Sequence, residues 1–359
     1  MTTTGSAAGA APTGPAPPEE TAEVIGGLLF GFFPAQVLHV AAAFDLVDHL
    51  ADGPRTVDDL ARVTGTHAPS LHRVLRALAC FEVLDEVAPG TYGRGRHAGA
   101  LASDGPASML HLVRLFAGRD VWRSWGELVE TVRTGVPAWD LVTGTSAFEG
   151  LAADPELQAN FNRAMAEGTR RAAPGIAAAG GFERFSSVVD VGGGDGTLLA
   201  AVLAAHPHLR GTVFDTPDGA READRTLADA GVGDRATVAT GDFFEAVPTG
   251  ADAYLVKSVV HDWDDERATL LLRRVCEAAG EGGALLVVEP LMPPTLAGRP
   301  DALAMVMSDV NMLVWTTGRA RTEAELRGLL DAAGFEVRSV TPAPRSTYSV
   351  VEAVPRPGA

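Results

Sequence analysis

Val188-Val189-Asp190-Val191-Gly192-Gly193-Gly194-Asp195-Gly196-Thr197-Leu198 is the stretch on which the fold turns. An apolar, β-branched run of strand length enters a glycine cluster and leaves as an apolar helical stretch. Glycines there permit positive φ and let a ligand approach the main chain closely, while the helix that follows offers unpaired N–H groups. Alone, the stretch also fits a tight strand-to-helix turn that binds nothing. A dinucleotide fingerprint needs glycine at position 197, where Thr197 stands, so NAD is a poor match.

Downstream, β-branched runs at 187–191, 212–215, 236–240, 253–260 and 284–289 alternate with helix-sized connections, the pattern of βαβ units and a parallel sheet. Runs at 336–340 and 347–352 are joined by a short segment containing Pro342 and Pro344, too short for a helical crossover, which predicts one antiparallel strand at that end. The glycine loop, Asp215, Asp242, His261 and Glu289 all fall at carboxyl ends of predicted parallel strands, where open α/β sheets bind ligands. Asp215 suits ribose hydroxyls, because a carboxylate accepts two hydrogen bonds side by side. That combination points to an adenosine-bearing ligand without a pyrophosphate. Asp242 is placed to accept from an adenine amine and Phe243 to lie against the base, although Gly-Asp after a strand is also ordinary turn chemistry.

The 359 residues carry 46 acidic against 29 basic side chains, a net charge of −17, which opposes binding to a phosphate backbone. Lys257 is the lone lysine among those basic residues. An ammonium and a guanidinium are not interchangeable, so it is a candidate site residue. Two distant cysteines, Cys80 and Cys276, suggest neither a disulfide framework nor a zinc site and fit a reducing cytoplasm. Residues 1–20 read as a disordered Ala/Pro/Thr/Gly tail without a secretory signal. The segment 24–44 has no Asp, Glu, Lys or Arg and is about long enough for a bilayer span, but Pro34, Gln36 and His39 favour a helix buried in protein, including against a partner subunit.

Between residues 21 and 103 the pattern is helical. Thr56 caps one helix, and Leu71, Val74, Leu75 and Leu78 share a face of the next. Residues 83–93 then read as a wing, completing a helix-turn-helix module. A DNA-reading role is disfavoured: residues 1–100 hold six arginines and eleven carboxylates, and the second helix offers only Arg73 and Arg76. Residues 105–181 are mostly helical, with Trp122, Trp125, Trp139, Phe148, Phe161 and Met165 supplying bulk.

Asp190 to Gly196, Phe214-Asp215-Thr216-Pro217, Gly241-Asp242-Phe243-Phe244 and above all Lys257 to Asp265 resemble the S-adenosylmethionine-dependent O-methyltransferases of the plant caffeate type and their bacterial relatives acting on aromatic secondary metabolites. The resemblance covers nearly the whole chain. It implies an α/β fold: a class I methyltransferase, Rossmann-like sheet with one antiparallel strand, plus an N-terminal helical winged-helix dimerisation domain. The implied division is a tail at 1–20, the dimerisation domain at 21–105, a helical linker and acceptor-site lid at 106–180, and the S-adenosylmethionine-binding domain at 181–359. It implies a cytoplasmic homodimer that needs no metal, nucleic acid or membrane and methylates a phenolic or enolic hydroxyl of a small aromatic substrate.

By the same resemblance Gly192 and Gly194 line the methionine end of the cofactor, Asp215 holds the ribose, Asp242 and Phe243 flank the adenine, and Lys257 contacts the cofactor. Arg163 is the candidate partner of the cofactor carboxylate. Phe161 and Met165 face the acceptor from the lid, and Asp309, Asn311, Met312 and Trp315 line its pocket. His261 is the expected general base, with Glu289 accepting from its other nitrogen and Asp262 and Asp309 as weaker alternatives for that role. A phenol of pKa near 10 and an imidazole near 6.5 differ by about 3.5 units, roughly 5 kcal/mol, so the proton leaves as the methyl moves. Plant enzymes of this type carry a second carboxylate where Ala320 stands, leaving Glu289 alone or Asp309 as its substitute. The alternatives are carbon or nitrogen methylation on the same fold, or a non-enzymatic winged-helix regulator.

Overall fold

The computed structural model describes residues 17–297, 299 and 302–358. The expected tail up to residue 16 lies outside the described residues, whereas Pro18, Glu19 and Glu20 already form the first turn of helix α1 (Pro18–Leu29). Proline in a first turn loses no hydrogen bond, and the two carboxylates complement the helix dipole. The single helix expected over 24–44 is two helices, because the chain turns at Phe30 and Gly31 before α2 (Phe32–Ala43). Pro34 has no N–H to continue the ladder onto Phe30. Only its second half is buried within the chain, with Ala41 in the N-terminal core and Val37 and Leu38 packed against it. Helix α1 buries no residue, and Leu28, Leu29, Phe32 and Phe33 are exposed by 46–73%. By length and composition alone residues 18–43 would suffice to cross a membrane.

Helices α3 (Val57–Thr64) and α4 (Ala68–Cys80) pack with a small antiparallel sheet of β1 (Arg55–Thr56), β2 (Leu84–Ala88) and β3 (Thr91–Arg94), in the order β1-β3-β2. Thr56 caps α3 by accepting from Asp59 N, and Gly65, at φ +66°, ends it. The amphipathic spacing of α4 puts Leu71, Leu75 and Leu78 into one core with Leu60 and Tyr92, while Val74 is half-buried at its edge.

Helices α5 (Leu110–Phe116), α6 (Arg119–Gly126), α7 (Leu128–Thr134), α8 (Ala138–Thr143) and α9 (Ala147–Ala153) lead into the long α10 (Pro155–Ala179). Buried Glu167 of α10 accepts from the main-chain N–H groups of His111 and Leu112, satisfying donors at the start of α5.

The seven-stranded sheet is made of β4 (Ser187–Val191), β5 (Arg210–Asp215), β6 (Ala236–Thr240), β7 (Ala253–Lys257), β8 (Ala284–Glu289), β9 (Phe335–Pro342) and β10 (Ser349–Pro355). Around it lie α11 (Thr197–Ala205), α12 (Ala223–Asp229), α13 (Asp265–Ala279), α14 (Leu303–Trp315) and α15 (Glu323–Ala332). The strand order is β6-β5-β4-β7-β8-β10-β9, and β10 runs antiparallel to both neighbours. Strands β7 and β8 are almost wholly buried, which is why they read as continuous apolar runs. Successive strands reverse direction of travel across the sheet between β4 and β7, opening a crevice at their carboxyl ends. The strand expected over 253–260 stops at Lys257, because Ser258 takes φ +54° and a 3-10 turn, Val260–Asp262, follows.

Leu75 is fully buried, so Leu75→Ala is expected to cost about 2–5 kcal/mol. Val129→Ala, at a position 72% exposed outside the N-terminal core, serves as the reference, expected within about 0.5 kcal/mol of the parent. Urea denaturation of both variants checks this, and equal losses would contradict the assignment of the N-terminal core.

Candidate active site

The glycine loop after β4 adopts the conformation its composition permits, with φ of +71° at Gly192 and +56° at Gly194. A Cβ at Gly192 would stand 2.7 Å from Val259, but one at Gly194 would meet no atom within 4 Å, so that side of Gly194 faces open space. Asp215, at the end of β5, holds the loop: its Oδ2 accepts from Gly194 N at 2.8 Å and its Oδ1 from Thr216 N at 2.7 Å. Burial raises the Asp215 pKa, and these two N–H groups oppose the rise. Beneath the loop Asp190 is 2% exposed, and its Oδ2 has no hydrogen-bond partner among the described residues. Burial pushes its pKa up to about 7, with the Lys257 charge working the other way. An orphaned buried carboxyl oxygen under an open glycine cradle fits a ligand that brings its own donors and positive charge. Asp242 is exposed beyond β6, its Oδ1 accepting from Phe244 N at 2.8 Å, and Phe243 is half-buried against Phe244.

Across the switch point stand His261 and Glu289. Glu289 ends β8 at 5% exposure, where its Oε2 meets His261 Nδ1 at 2.5 Å and its Oε1 accepts from His261 N at 3.3 Å. One carboxylate thereby fixes both the ring and the main chain of the same residue. The other ring nitrogen, Nε2, lies 3.5 Å from Asp262 Oδ1. Burial lowers the His261 pKa, but Glu289 and then Asp262 override it and hold it up at about 9. Asp262 is itself raised to about 6 by burial, against the pull of His261. Asp262 thus faces the nitrogen opposite Glu289, and it does not share the role of accepting from Nδ1. Asp309 does not take that role either, since its Oδ1 accepts from Ala320 N at 2.6 Å.

Lys257 donates from Nζ to Thr169 Oγ1 of α10 at 3.1 Å and lies 5.0 Å from the Tyr348 ring centroid. Its ammonium joins the sheet to the long helix. Arg163, on α10, is exposed, and its side chain makes no hydrogen bond or ion pair to other described residues. Met165 is 37% exposed on the same helix, while Phe161 is half-buried with its ring 5.9 Å from that of Trp315. Trp315 is buried and stacks on Trp139 at 5.0 Å, so it belongs to an aromatic core behind α14, with Asn311 and Met312 half-buried nearer the surface. Phe148 of α9 stacks on Trp263 at 5.1 Å, packing α9 against the turn that carries His261. Thr169, Tyr348 and the buried Arg321 are not singled out as site residues by the sequence, and Phe148 reads there only as bulk, since their partners lie far along the chain. Among the described residues no cluster of three or more His, Cys, Asp or Glu could hold a metal ion.

A parallel sheet reversing beside a glycine loop, with a buried imidazole–carboxylate pair across the gap, defines a class I methyltransferase fold with its reaction site at the strand ends. An O-methyltransferase domain matches residues 125–336 and an O-methyltransferase dimerisation domain residues 27–104. The chain is 40% identical to O-demethylpuromycin-O-methyltransferase of Streptomyces alboniger, over 91% of this chain and 88% of that protein. It is 38% identical to phenazine O-methyltransferase PhzM of Lysobacter antibioticus, over 91% and 94%. A solved O-methyltransferase from neocarzinostatin biosynthesis, in complex with S-adenosylmethionine and 2-hydroxy-5-methyl naphthoic acid, superposes with a TM-score of 0.76 at 38% identity, covering 90% of this chain and 96% of that one. The chain belongs to the O-methyltransferase family, whose methyl donor is S-adenosylmethionine.

Because the folded state raises the His261 pKa, its contribution to stability is fully present below pH 6.5 and is lost as pH rises through about 9. Glu289→Gln removes the larger of the two carboxylate effects. Urea denaturation at pH 6.5 and about pH 10 is expected to show a smaller fall in stability for the variant than for the parent. An equal fall would remove Glu289 as the source of the shift.

Proposed function

We propose that this enzyme methylates a phenolic or enolic hydroxyl of a small aromatic secondary metabolite, with His261 as general base. The observation that carries the reading is the 2.5 Å contact between His261 Nδ1 and Glu289 Oε2. An Nδ1–H committed to a carboxylate leaves Nε2 as the nitrogen that exchanges protons with a ligand. S-adenosylmethionine supplies an electrophilic methyl group when bound. Positioning the acceptor oxygen in line with it provides most of the acceleration.

The raised pKa changes the energetics expected from sequence. A phenol near 10 loses its proton to an imidazole at about 9 with a deficit of about 1.4 kcal/mol, against about 5 kcal/mol for an unperturbed histidine. The same shift leaves His261 largely protonated at neutral pH in the free enzyme. kcat/KM therefore rises with pH toward about 9.

Around the cofactor we assign Gly192 and Gly194 to the methionine end, Asp215 to the ribose, Asp242 and Phe243 to the adenine, and the unpaired Arg163 to the carboxylate. Lys257 acts through Thr169, holding α10 over the site. Phe161, Met165, Asn311 and Met312 face the acceptor, with Trp315 backing them and Asp309 fixing the adjoining loop. The apolar surface of α1 and α2 lies in a homodimer contact rather than in a membrane, a reading supported by the dimerisation domain that matches from residue 27. The acidic charge argues against a nucleic-acid partner, and the two free cysteines suit the cytoplasm.

A screen of aromatic hydroxyl compounds with S-adenosylmethionine, read by product mass and NMR, is expected to yield an O-methyl ether. A C- or N-methyl product would replace the reading. With the accepted compound, His261→Ala is expected to lose about 10²- to 10⁴-fold in turnover while retaining cofactor binding by calorimetry, and a chelator is expected to leave the parent unchanged. Undiminished turnover in the variant would remove His261 as the base. Leu28→Glu with Phe32→Glu is expected to lower the mass measured by sedimentation from dimer toward monomer, and a dimer that persists would place the contact elsewhere.

A further inference from the structure

We propose that Arg321 is a positioning residue for His261, a buried guanidinium that pins both ends of the turn presenting the imidazole. The proposal rests on His261 being the base, although Arg321 makes no contact with the imidazole. Arg321 is 4% exposed. Its Nη1 donates to Val260 O at 2.9 Å and its Nη2 to Trp263 O at 2.8 Å, the carbonyls on either side of His261 and Asp262. Nε and Nη2 both donate to Asp265 Oδ1, at 3.0 and 2.7 Å, and Nη1 also reaches Arg319 O at 3.5 Å. Every nitrogen of the fork is used.

The turn needs this support. It leaves β7 through Ser258 at φ +54°, a conformation that a residue with a side chain holds only where its surroundings over-determine it. Its internal hydrogen bonds are long, 3.2 Å from Asp262 N to Val259 O and 3.5 Å from Trp263 N to Val260 O. The shorter bonds to those carbonyls' neighbourhood come from outside the turn, from Arg321. The segment bearing Arg321 is itself anchored on three sides. Met292 N, three residues beyond Glu289, donates to Arg321 O at 2.9 Å. Asp309 of α14 holds Ala320 N. Gly318 lies so close to the turn that a Cβ there would fall 2.0 Å from His261 O. Side chain and main chain of Arg321 thus join the exit of the Glu289 strand to the His261 turn, setting the spacing of the imidazole–carboxylate pair. Lysine cannot substitute in full, because one ammonium has no planar fork to span two carbonyls and a carboxylate.

The test compares full-length Arg321→Met and Arg321→Lys with the parent, and uses Arg235→Met as a matched loss. Arg235 also donates to three main-chain carbonyls, those of Leu203, His206 and Leu209, but away from the site. The primary readout is the NMR signal of the His261 Nδ1–H proton and the pH titration of the ring, assigned by its absence in His261→Ala. Arg321→Met is expected to lose the hydrogen-bonded proton signal and to titrate nearer 6.5, Arg321→Lys to fall between it and the parent, and Arg235→Met to match the parent. S-adenosylmethionine binding by calorimetry is expected to stay within about threefold, while kcat on the accepted acceptor falls about a hundredfold, as a displacement of about 1 Å would cause. If Arg321→Met does not fold, Asp265→Asn at the exposed end of the fork replaces it, with a smaller change in the same direction. A ring that titrates as in the parent overturns the positioning role. Turnover unaffected by His261→Ala would instead overturn the base reading, so the two failures are separable.

Discussion

A carboxylate at 5% exposure has to find donors, and Glu289 finds two on one residue, the ring and the main-chain N–H of His261. The rest of the site is arranged around that constraint. The pair joins the ends of two neighbouring structures, the exit of β8 and the turn after β7, which parallel pairing already holds in register from Ala253 with Ala284 to Lys257 with Val288. Beyond that register the sheet does no more, because Ser258 leaves the extended conformation. The geometry of the His261–Glu289 pair therefore depends on side-chain bonds that take over where the ladder ends.

The parts of this architecture that could be read from the sequence are those whose cause is local. A buried β-branched run followed by glycines marks β4 and its loop, and the acids and histidine that close later runs mark the strand ends. The short proline-containing link near residue 342 marks the antiparallel β10. The missed features have causes elsewhere in the chain. The end of β7 depends on a left-handed serine, a conformation that composition does not announce. Arg321 looks like any arginine in a charged loop until Val260 and Trp263, some sixty positions earlier, are brought against it. The break between α1 and α2 was signalled by Gly31 and Pro34, but the apolar run around them masked it.

The same distinction applies to the walls of the crevice. The sequence pattern implied helices over 105–181, but only the packing shows how they are fastened: Phe148 on Trp263, Lys257 on Thr169, and the Phe161–Trp315–Trp139 aromatic group. One of these fasteners ends on Trp263, in the segment between β7 and α13 that also carries His261, and another on Lys257, the last residue of β7 before it. Trp263 and Lys257 thus tie the helical segment to the neighbourhood of the turn that presents the His261 imidazole.

Two carboxylates beside one imidazole stabilise its cation, which is the wrong resting state for a base. A second positive charge in the crevice acts in the opposite sense, because like charges disfavour one another most where water is scarce. A sulfonium donor carries that charge. On the proposed reading, a cationic methyl donor in the crevice would weaken the hold on that proton, while Glu289 fixes the ring through Nδ1. Orientation and basicity are separated in this way. On that reading the short Glu289 contact sets the orientation of the ring, and the charges around Nε2, where Asp262 stands, set its basicity.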